Sequence, residues 1–367
     1  MRLHRDFDTT LLLLAVALTC LGVVMVFSSS CVVAGEKYGD AFFFLKKQLK
    51  FALVGGLLMA LTMYVDYEFW RKIAIPLLLL GICLLALLFV PGMGVTAGGA
   101  ARWLRLPGIT VQPAEFVKLG LVLYLASSMT RKKEKIRSFK LGLLPYILVL
   151  GAILGLLLLQ PDLGSAMIIS GVALTMLLMA GARWSFVVPL VLSVLPAVYF
   201  MIMHVDYRRR RILAFLNPWK DPYDTGFQII QSMIAFGSGG VFGKGLGGSE
   251  QKLFFLPEAH TDFIFSVIGE ELGLIGVLAV SGIFLLLVLR GLRIAWYATD
   301  PFARYLAFGL TLLLGMEAFV NMAVCLGLLP TKGLALPFIS YGGTSLIASL
   351  VAVGILLNIS SRIEVPQ

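Results

Sequence analysis

The chain has 367 residues, 59% of them hydrophobic and 14% charged, with a mean hydropathy of +0.95 and a net charge of +10. Soluble globular domains carry roughly a quarter charged residues, so that class is excluded. The positive balance suits the enrichment of Lys and Arg on the inner side of membrane proteins and contact with anionic lipid, and does not point to nucleic acid.

Apolar runs near 20 residues recur from end to end, each long enough to cross a hydrocarbon core about 30 Å thick. A β-barrel would show short alternating segments instead. The first run, Leu11 to Phe27, follows Arg2, His4 and Arg5 as a signal peptide would, but nine further runs come after it, which favours an uncleaved first helix. The expected fold is all-α and polytopic, with about ten transmembrane helices near 10–30, 46–65, 73–90, 114–130, 143–159, 163–181, 186–205, 262–289, 303–327 and 338–358. One membrane domain covers 1–367, with a large extracytoplasmic loop, about 206–261, between the seventh and eighth helices.

With both termini cytoplasmic, the inner segments hold half of the 30 Lys and Arg, most densely at Arg131, Lys132, Lys133, Lys135, Arg137 and Lys140. The short outer loops hold few: Lys37, Arg102, Arg105 and Lys332, with Lys46 and Lys47 at a helix edge. The long outer loop is exempt from the rule by its length, and its Gly, Pro and aromatic content predicts an ordered segment. Cys20, Cys31, Cys83 and Cys325 show no metal spacing and read as packing residues.

Ionisable groups near membrane segments are costly, so each is a functional candidate. Glu115 and Lys118 stand three apart and can pair on one helix face; Glu317 and Asn321 suit interhelical hydrogen bonding. Asp262, opening the eighth helix, suits an N-cap. Yet Glu258, His260 and Asp262 crowd one boundary, and Glu270 and Glu271 follow deeper in the same helix, which is more than capping requires. Gln160-Pro-Asp-Leu-Gly164, Pro330-Thr-Lys-Gly333 and Ser340-Tyr-Gly-Gly-Thr-Ser345 also fall at outer ends, so polar segments of several helices converge on one face.

Arg208, Arg209, Arg210 and Arg211, after Tyr207, suit bidentate binding of phosphate at the headgroup level, with Phe215 to Trp219 as an aromatic anchor. The Gly-rich run 237–248 is no Walker A loop, because Ser238 and Gly245 stand where Gly and Ser or Thr are needed. Gly243 to Gly248 spells GxGxxG without a preceding strand, and is expected to be a flexible turn. No zinc, EF-hand or Ser-His-Asp pattern is evident. Without a nucleotide motif, a reaction on the outer face must draw its driving force from its substrate, as a membrane-bound pyrophosphate-linked donor allows.

Together these segments resemble the shape, elongation, division and sporulation (SEDS) family, the FtsW/RodA/SpoVE peptidoglycan polymerases. The resemblance runs from Asp8 and Met25-Val-Phe-Ser-Ser29 to the tenth helix. It is carried by Gln112-Pro-Ala-Glu-Phe-Val-Lys118, Gln160 to Gly164, Gln228-Ile-Ile-Gln-Ser232, Leu256-Pro-Glu-Ala-His-Thr-Asp-Phe263, Gly269-Glu-Glu-Leu-Gly273, Gly327 to Gly333 and Pro337 to Gly343. Pro257 to His260, Asn321-Met322 and Pro330 to Gly333 look most like the division and sporulation branch.

The resemblance implies a glycosyltransferase joining lipid II into β-1,4 glycan strands outside the cytoplasmic membrane. Asp262 matches the family's essential carboxylate, and a carboxylate there suits the general base for the acceptor hydroxyl. Arg102, Arg208 to Arg211, Lys244 and Lys332 are candidates for the polyprenyl pyrophosphate, Glu115 and Lys118 for the cavity floor, and His260 and Ser340 for further substrate contacts. The resemblance identifies no certain cofactor and leaves the metal open. A divalent cation, Mg or Mn, is compatible with the pyrophosphate, but the sequence shows no ligand cage. Implied partners are lipid II, the undecaprenyl-pyrophosphate glycan, a class B penicillin-binding protein, other divisome proteins and the membrane. A lipid II transporter and a non-catalytic scaffold for a transpeptidase are the rival readings.

Overall fold

The computed structural model describes residues 7–97, 100–106, 109–253 and 255–363. Ten helices of 16 residues or more dominate them: α1 Thr9–Tyr38, α2 Phe43–Tyr64, α3 Tyr67–Leu87, α4 Pro113–Lys132, α5 Leu144–Leu159, α6 Leu163–Met179, α7 Trp184–Met203, α10 Ile264–Tyr297, α11 Pro301–Cys325 and α12 Gly343–Ser360. Two shorter helices, α8 Asp206–Leu216 and α9 Phe227–Gly239, lie between α7 and α10. Six segments are long and apolar enough alone to cross a membrane, with shorter apolar helices beside them. The all-α membrane fold follows.

The apolar windows of α11 and α12 are 67% and 83% buried against 22% for α3, so these two form the core and α3 the rim. Leu, Val and Phe exposed on the outer helices, such as Leu53, Leu57 and Leu79, suit lipid. Lipid tails give apolar helices no hydrophobic drive toward one another, so close packing through small residues holds the bundle. Gly354 of α12 lies against Met59 and Thr62 of α2, and Gly120 of α4 against Leu78 of α3.

The start of α1 and the end of α12 meet at one end of the bundle. Asp8 caps α1 through Leu11 N (2.9 Å), its own N–H donates to Ser360 Oγ (3.1 Å), and Arg290 of α10 donates to Thr10 (2.9 Å). Arg362 pairs with Asp66 at the same end (2.8 Å).

A three-stranded antiparallel sheet, β1 Gly94–Ala97, β2 Ala100–Leu106 and β3 Ile109–Val111, joins α3 to α4. The helix-only reading did not anticipate it. Its signal is local: β-branched Val95-Thr96 and Ile109-Thr110-Val111 between Gly- and Pro-rich turns.

The eighth predicted span is interrupted. α10 breaks at Gly273 (φ 67°, ψ −165°). Across the break Leu274 N and Ile275 N donate to Gly240 O (2.9 Å) and Val241 O (3.3 Å). In return, Glu270 O and Glu271 O accept from Lys244 N (3.0 Å) and Gly245 N (2.9 Å). An unbroken helix would pair those four groups with one another. The Gly-rich run, expected as a flexible turn, is therefore ordered backbone that completes a discontinuous helix. A side chain at Gly243 (φ 77°) would meet Glu271 O.

Candidate active site

The end of the bundle opposite the Asp8–Ser360 contact gathers the polar segments. A cavity of about 380 Å³ is lined by Asp262, Glu258, Arg102, Arg211, Lys332 and Gln228, and reaches inward to Glu115, Lys118 and Glu317. A smaller adjoining pocket adds Asp162 and Gly164 and shares Arg102, Arg211 and Lys332.

Asp262 is not an N-cap. Phe263 occupies that position and no side chain caps the first turn of α10. The preceding turn explains why. Glu258 has left-handed backbone (φ 57°), and its carbonyl accepts from Thr261 N (3.1 Å) and Phe263 N (3.3 Å). A non-glycine in that region costs on the order of 1–3 kcal/mol and persists only where neighbours impose it. Thr261 Oγ1 helps by donating to Glu258 Oε2 (2.8 Å). The extra turn moves the start of the helix past Asp262 and leaves its carboxylate to the cavity.

Three successive carbonyls then fix the loop. His260 O accepts from Tyr341 N (2.9 Å), Thr261 O from Ser340 Oγ (2.6 Å), and Asp262 O from Asn321 Nδ2 (2.8 Å). Asn321 Nδ2 also reaches Leu334 O (2.6 Å), so one amide on α11 ties the Asp262 loop to the segment bearing Lys332. The interhelical role expected of Asn321 is of this kind.

Burial pushes the Asp262 carboxyl up to about 7; Glu258 adds to the rise, Arg102 and Arg211 oppose it, and Asp162 adds a smaller push. A carboxyl poised there can exchange a proton near neutral pH.

Arg102 arrives on β2. Its Nη2 donates to Pro161 O (2.7 Å), while its buried Nε finds no acceptor among the described residues. A Cβ added at Gly333 would stand 3.1 Å from Asp262 Oδ2 and 3.5 Å from Arg102 Nη1, so carboxylate and guanidinium flank the same glycine. Arg211 Nη1 donates to Thr331 O (3.2 Å).

At the cavity floor Lys118 Nζ donates to Glu115 Oε1 (2.7 Å) on its own helix and to Glu317 Oε1 on α11. All three are buried. Glu317, expected in interhelical hydrogen bonding, is the second carboxylate of this ion-paired triad.

Other expected site residues lie elsewhere. Arg209 and Arg210 are exposed on α8, and Arg208 is on the same helix, its side chain outside the described residues. His260 packs between Phe44 (ring centroids 4.5 Å) and Tyr341 (5.8 Å), and burial holds its pKa below the usual imidazole range. Ser340 Oγ is engaged by Leu336 N (2.8 Å) and Thr261 O, a role in shaping the loop. Lys244 pairs with Glu270 (3.0 Å) and Glu250 (3.3 Å), away from both pockets. Glu270 and Glu271 thus belong to a second cluster, separate from Asp262.

Sequence reasoning grouped Glu258 with Asp262 without giving it a role, and did not assign Gln112, Gln228, Asp162 or Trp103 to the lining. Gln112, Gln228 and Asp162 stood in the motifs already singled out, so the signal was present. For a metal, no group of three or more His, Cys, Asp or Glu side chains capable of holding an ion occurs among the described residues. The residues present do not fit a protein-built Mg or Mn cage.

A profile of the family described as "Cell cycle protein" (FtsW/RodA/SpoVE) matches residues 8–364. A "Probable peptidoglycan glycosyltransferase FtsW" of Geobacter metallireducens is 57% identical, covering 98% of this chain and 96% of that protein. The "Stage V sporulation protein E" of Bacillus subtilis is 41% identical over 96% of each chain. Among solved structures, a chain from "Structural coordination of polymerization and crosslinking by a peptidoglycan synthase complex" superposes with TM-score 0.79 at 33% identity, covering 97% of this chain and 98% of that one. The rod shape determining protein RodA of Thermus thermophilus gives TM-score 0.69 at 28% identity over 96% of each chain.

Proposed function

The chain belongs to the FtsW/RodA/SpoVE family, on its FtsW branch, and from that premise we infer how its cavity works as the site of a peptidoglycan glycosyltransferase. The protein is a multi-pass membrane enzyme of septal cell-wall synthesis. The substrates are lipid II and the growing undecaprenyl-pyrophosphate glycan, and the reaction runs at the outer face of the cytoplasmic membrane with both termini cytoplasmic.

The observation that carries the site assignment is the lining of one cavity by Asp262 together with the cations Arg102, Arg211 and Lys332. Inversion at the anomeric carbon requires in-line displacement. The acceptor hydroxyl enters on the Asp262 side and gives its proton to the carboxylate as the new C–O bond forms. As that bond forms the bond to the pyrophosphate breaks, and the charge gathering on the leaving group is met by guanidiniums of the same cavity, held by Pro161 O and Thr331 O. Arg209 and Arg210 take lipid headgroups, a reading supported by their exposure on α8. A divalent cation would find Asp262 and Glu258 on the wall without a third protein ligand of His, Cys, Asp or Glu type among the described residues, so the protein's own contribution to the leaving group is its cations.

The crosslinking partner is a class B penicillin-binding protein transpeptidase, a reading supported by the superposition on a chain of a peptidoglycan synthase complex, and other divisome proteins act with the pair.

The test is polymerisation of labelled lipid II by the purified protein, alone and with its transpeptidase, for wild type and Asp262→Ala. Glycan strands from the wild type and none from an equally folded Asp262→Ala are expected. Normal strands from Asp262→Ala would refute the site assignment. No strands from any sample with an active transpeptidase would favour transport or scaffolding.

A further inference from the structure

The second polar cluster lies under the break in α10 and lines neither pocket. Glu270 is fully buried, yet its carboxylate accepts five hydrogen bonds. Oε1 receives Ser238 Oγ (3.2 Å), Lys244 Nζ (3.0 Å) and Glu250 N (3.1 Å); Oε2 receives Ser249 Oγ and Gln251 N (3.3 Å). Beside it, buried Glu271 accepts from Ser28 Oγ of α1 (2.7 Å) and Lys252 Nζ (2.7 Å). Lys252 N donates to Ser249 Oγ (3.3 Å), and Leu256 N to Gln251 O (2.8 Å).

Burying a carboxylate is costly, and well-packed apolar residues often hold two segments together as well or better. What five converging donors add is placement, because each constrains the same two oxygens in distance and angle. The donors come from both sides of the Gly-rich segment that completes the helix, and from the start of the loop that delivers Asp262. That loop is therefore fixed at one end by the chain entering α10 and at the other by carboxylates of α10 itself.

We propose that Glu270 is a positioning residue of the polymerase, holding residues 249–251 so that the loop ending in Asp262 keeps its place against Arg102 and Lys332. Glu271 supports it through Lys252 and α1. The inference rests on Asp262 acting as the base in the reaction proposed above. It assigns Lys244 to the support of that loop and away from the pyrophosphate.

Without the clamp, the loop retains the staples from Tyr341, Ser340 and Asn321 but gains play at its upstream end. Misplacement by about 1 Å costs on the order of 100-fold in rate. Opening the loop also admits water to Asp262, whose titration is set by burial together with Glu258, Arg102, Arg211 and Asp162. The groups facing Glu270 itself are Lys244 and, through it, Glu250.

The experiment measures initial rates of lipid II polymerisation against substrate concentration and pH, with the full-length protein and its transpeptidase partner. Wild type, Asp262→Ala, Glu270→Ala, Glu270→Gln and Ser249→Ala are compared. Asn358→Ala is the control. Its side chain is buried far from the site, joining α12 to Met63 O (2.9 Å) and Tyr67 N (3.0 Å), so its loss weakens the fold at the other end. For Glu270→Ala a fall in kcat of about 10- to 100-fold is expected, with KM within about twofold and an acid limb below that of the wild type. Glu270→Gln and Ser249→Ala should fall in between, so the outcome does not depend on Glu270→Ala folding. Asn358→Ala should lower thermal stability and keep the wild-type acid limb. Wild-type kcat and acid limb in Glu270→Gln and Ser249→Ala would overturn the inference. So would losses that keep the wild-type acid limb and only track stability as in Asn358→Ala. Activity lost in Asp262→Ala but unchanged in the Glu270 variants removes the clamp alone; equal activity of Asp262→Ala and wild type removes the base assignment and the clamp with it.

Discussion

Replacing Asp262 with Asn should make the protein more stable at pH 8 while abolishing its activity. In the folded chain the Asp262 carboxyl titrates at about 7, against an ordinary value of 3.8. At pH 3 the group is protonated in folded and unfolded chains alike and contributes nothing. Between about 4 and 7 the unfolded chain ionises while the folded chain keeps its proton, so stability falls as pH rises. Above 7 the loss is complete. At 1.36 kcal/mol per unit it amounts to on the order of 4 kcal/mol. The amide of Asp262→Asn has no charge to desolvate, so the variant escapes that loss at pH 8 and gains nothing at pH 4. Thermal unfolding of both proteins in nanodiscs at the two pH values measures the difference. A difference in midpoint of several degrees is expected at pH 8 and little at pH 4. Equal midpoints at both pH values would refute the idea that burial strains this carboxylate. The same titration sets the rate: a base is competent only when ionised, so wild-type polymerisation should decline on the acid side of about pH 7.

Lys118→Met leaves Glu115 and Glu317 buried without their cation, and should destabilise by about 3–5 kcal/mol. The triple change Glu115→Gln, Lys118→Met, Glu317→Gln should recover much of that loss in a thermal shift assay, and a single variant as stable as the triple would refute the pairing. Gly333→Ala places a methyl 3.1 Å from Asp262 Oδ2 where the backbone has no need of glycine; turnover should fall about tenfold with the melting midpoint unchanged. Asn321→Leu strips a donor from the carbonyls of Asp262 and Leu334 and should cost about 1–3 kcal/mol as well as turnover. Asn321→Asp, aiming an acceptor at two acceptors, should be worse in both unfolding and rate measurements.

Much of this site could be read before the fold was known because its parts are costly. Asp262, Arg102, Lys332 and the Glu115–Lys118 pair are charges at or inside membrane boundaries, where composition makes every exception visible. What sequence could not tell was where each charge would find its partner. Lys244 suits a phosphate or a carboxylate equally well; only the break at Gly273, which seats the Gly-rich run against α10, delivers it to Glu270. Asp262 resembles an N-cap in one dimension. The left-handed turn at Glu258 shifts the helix start by one residue and changes its task. The strands are too short to stand out from a background of apolar runs, and the register that carries Arg102 to Pro161 depends on pairing across that sheet.

The hydrogen bond between Asp8 and Ser360 joins the first helix to the last, and α2 packs against α12 more extensively than any other two helices do. The order of synthesis is therefore the reverse of the order of need. At roughly 5–20 residues per second, α2 leaves the ribosome about 15–60 s before the surface that covers it exists. During that interval Gly55 and Thr62 face lipid or the insertion machinery, without Leu350 and Gly354. A chain stopped before α12 would retain most of its spans yet lack the seam that closes the bundle, and a ribosome stalled late in the message leaves behind a membrane protein with its first helices still waiting.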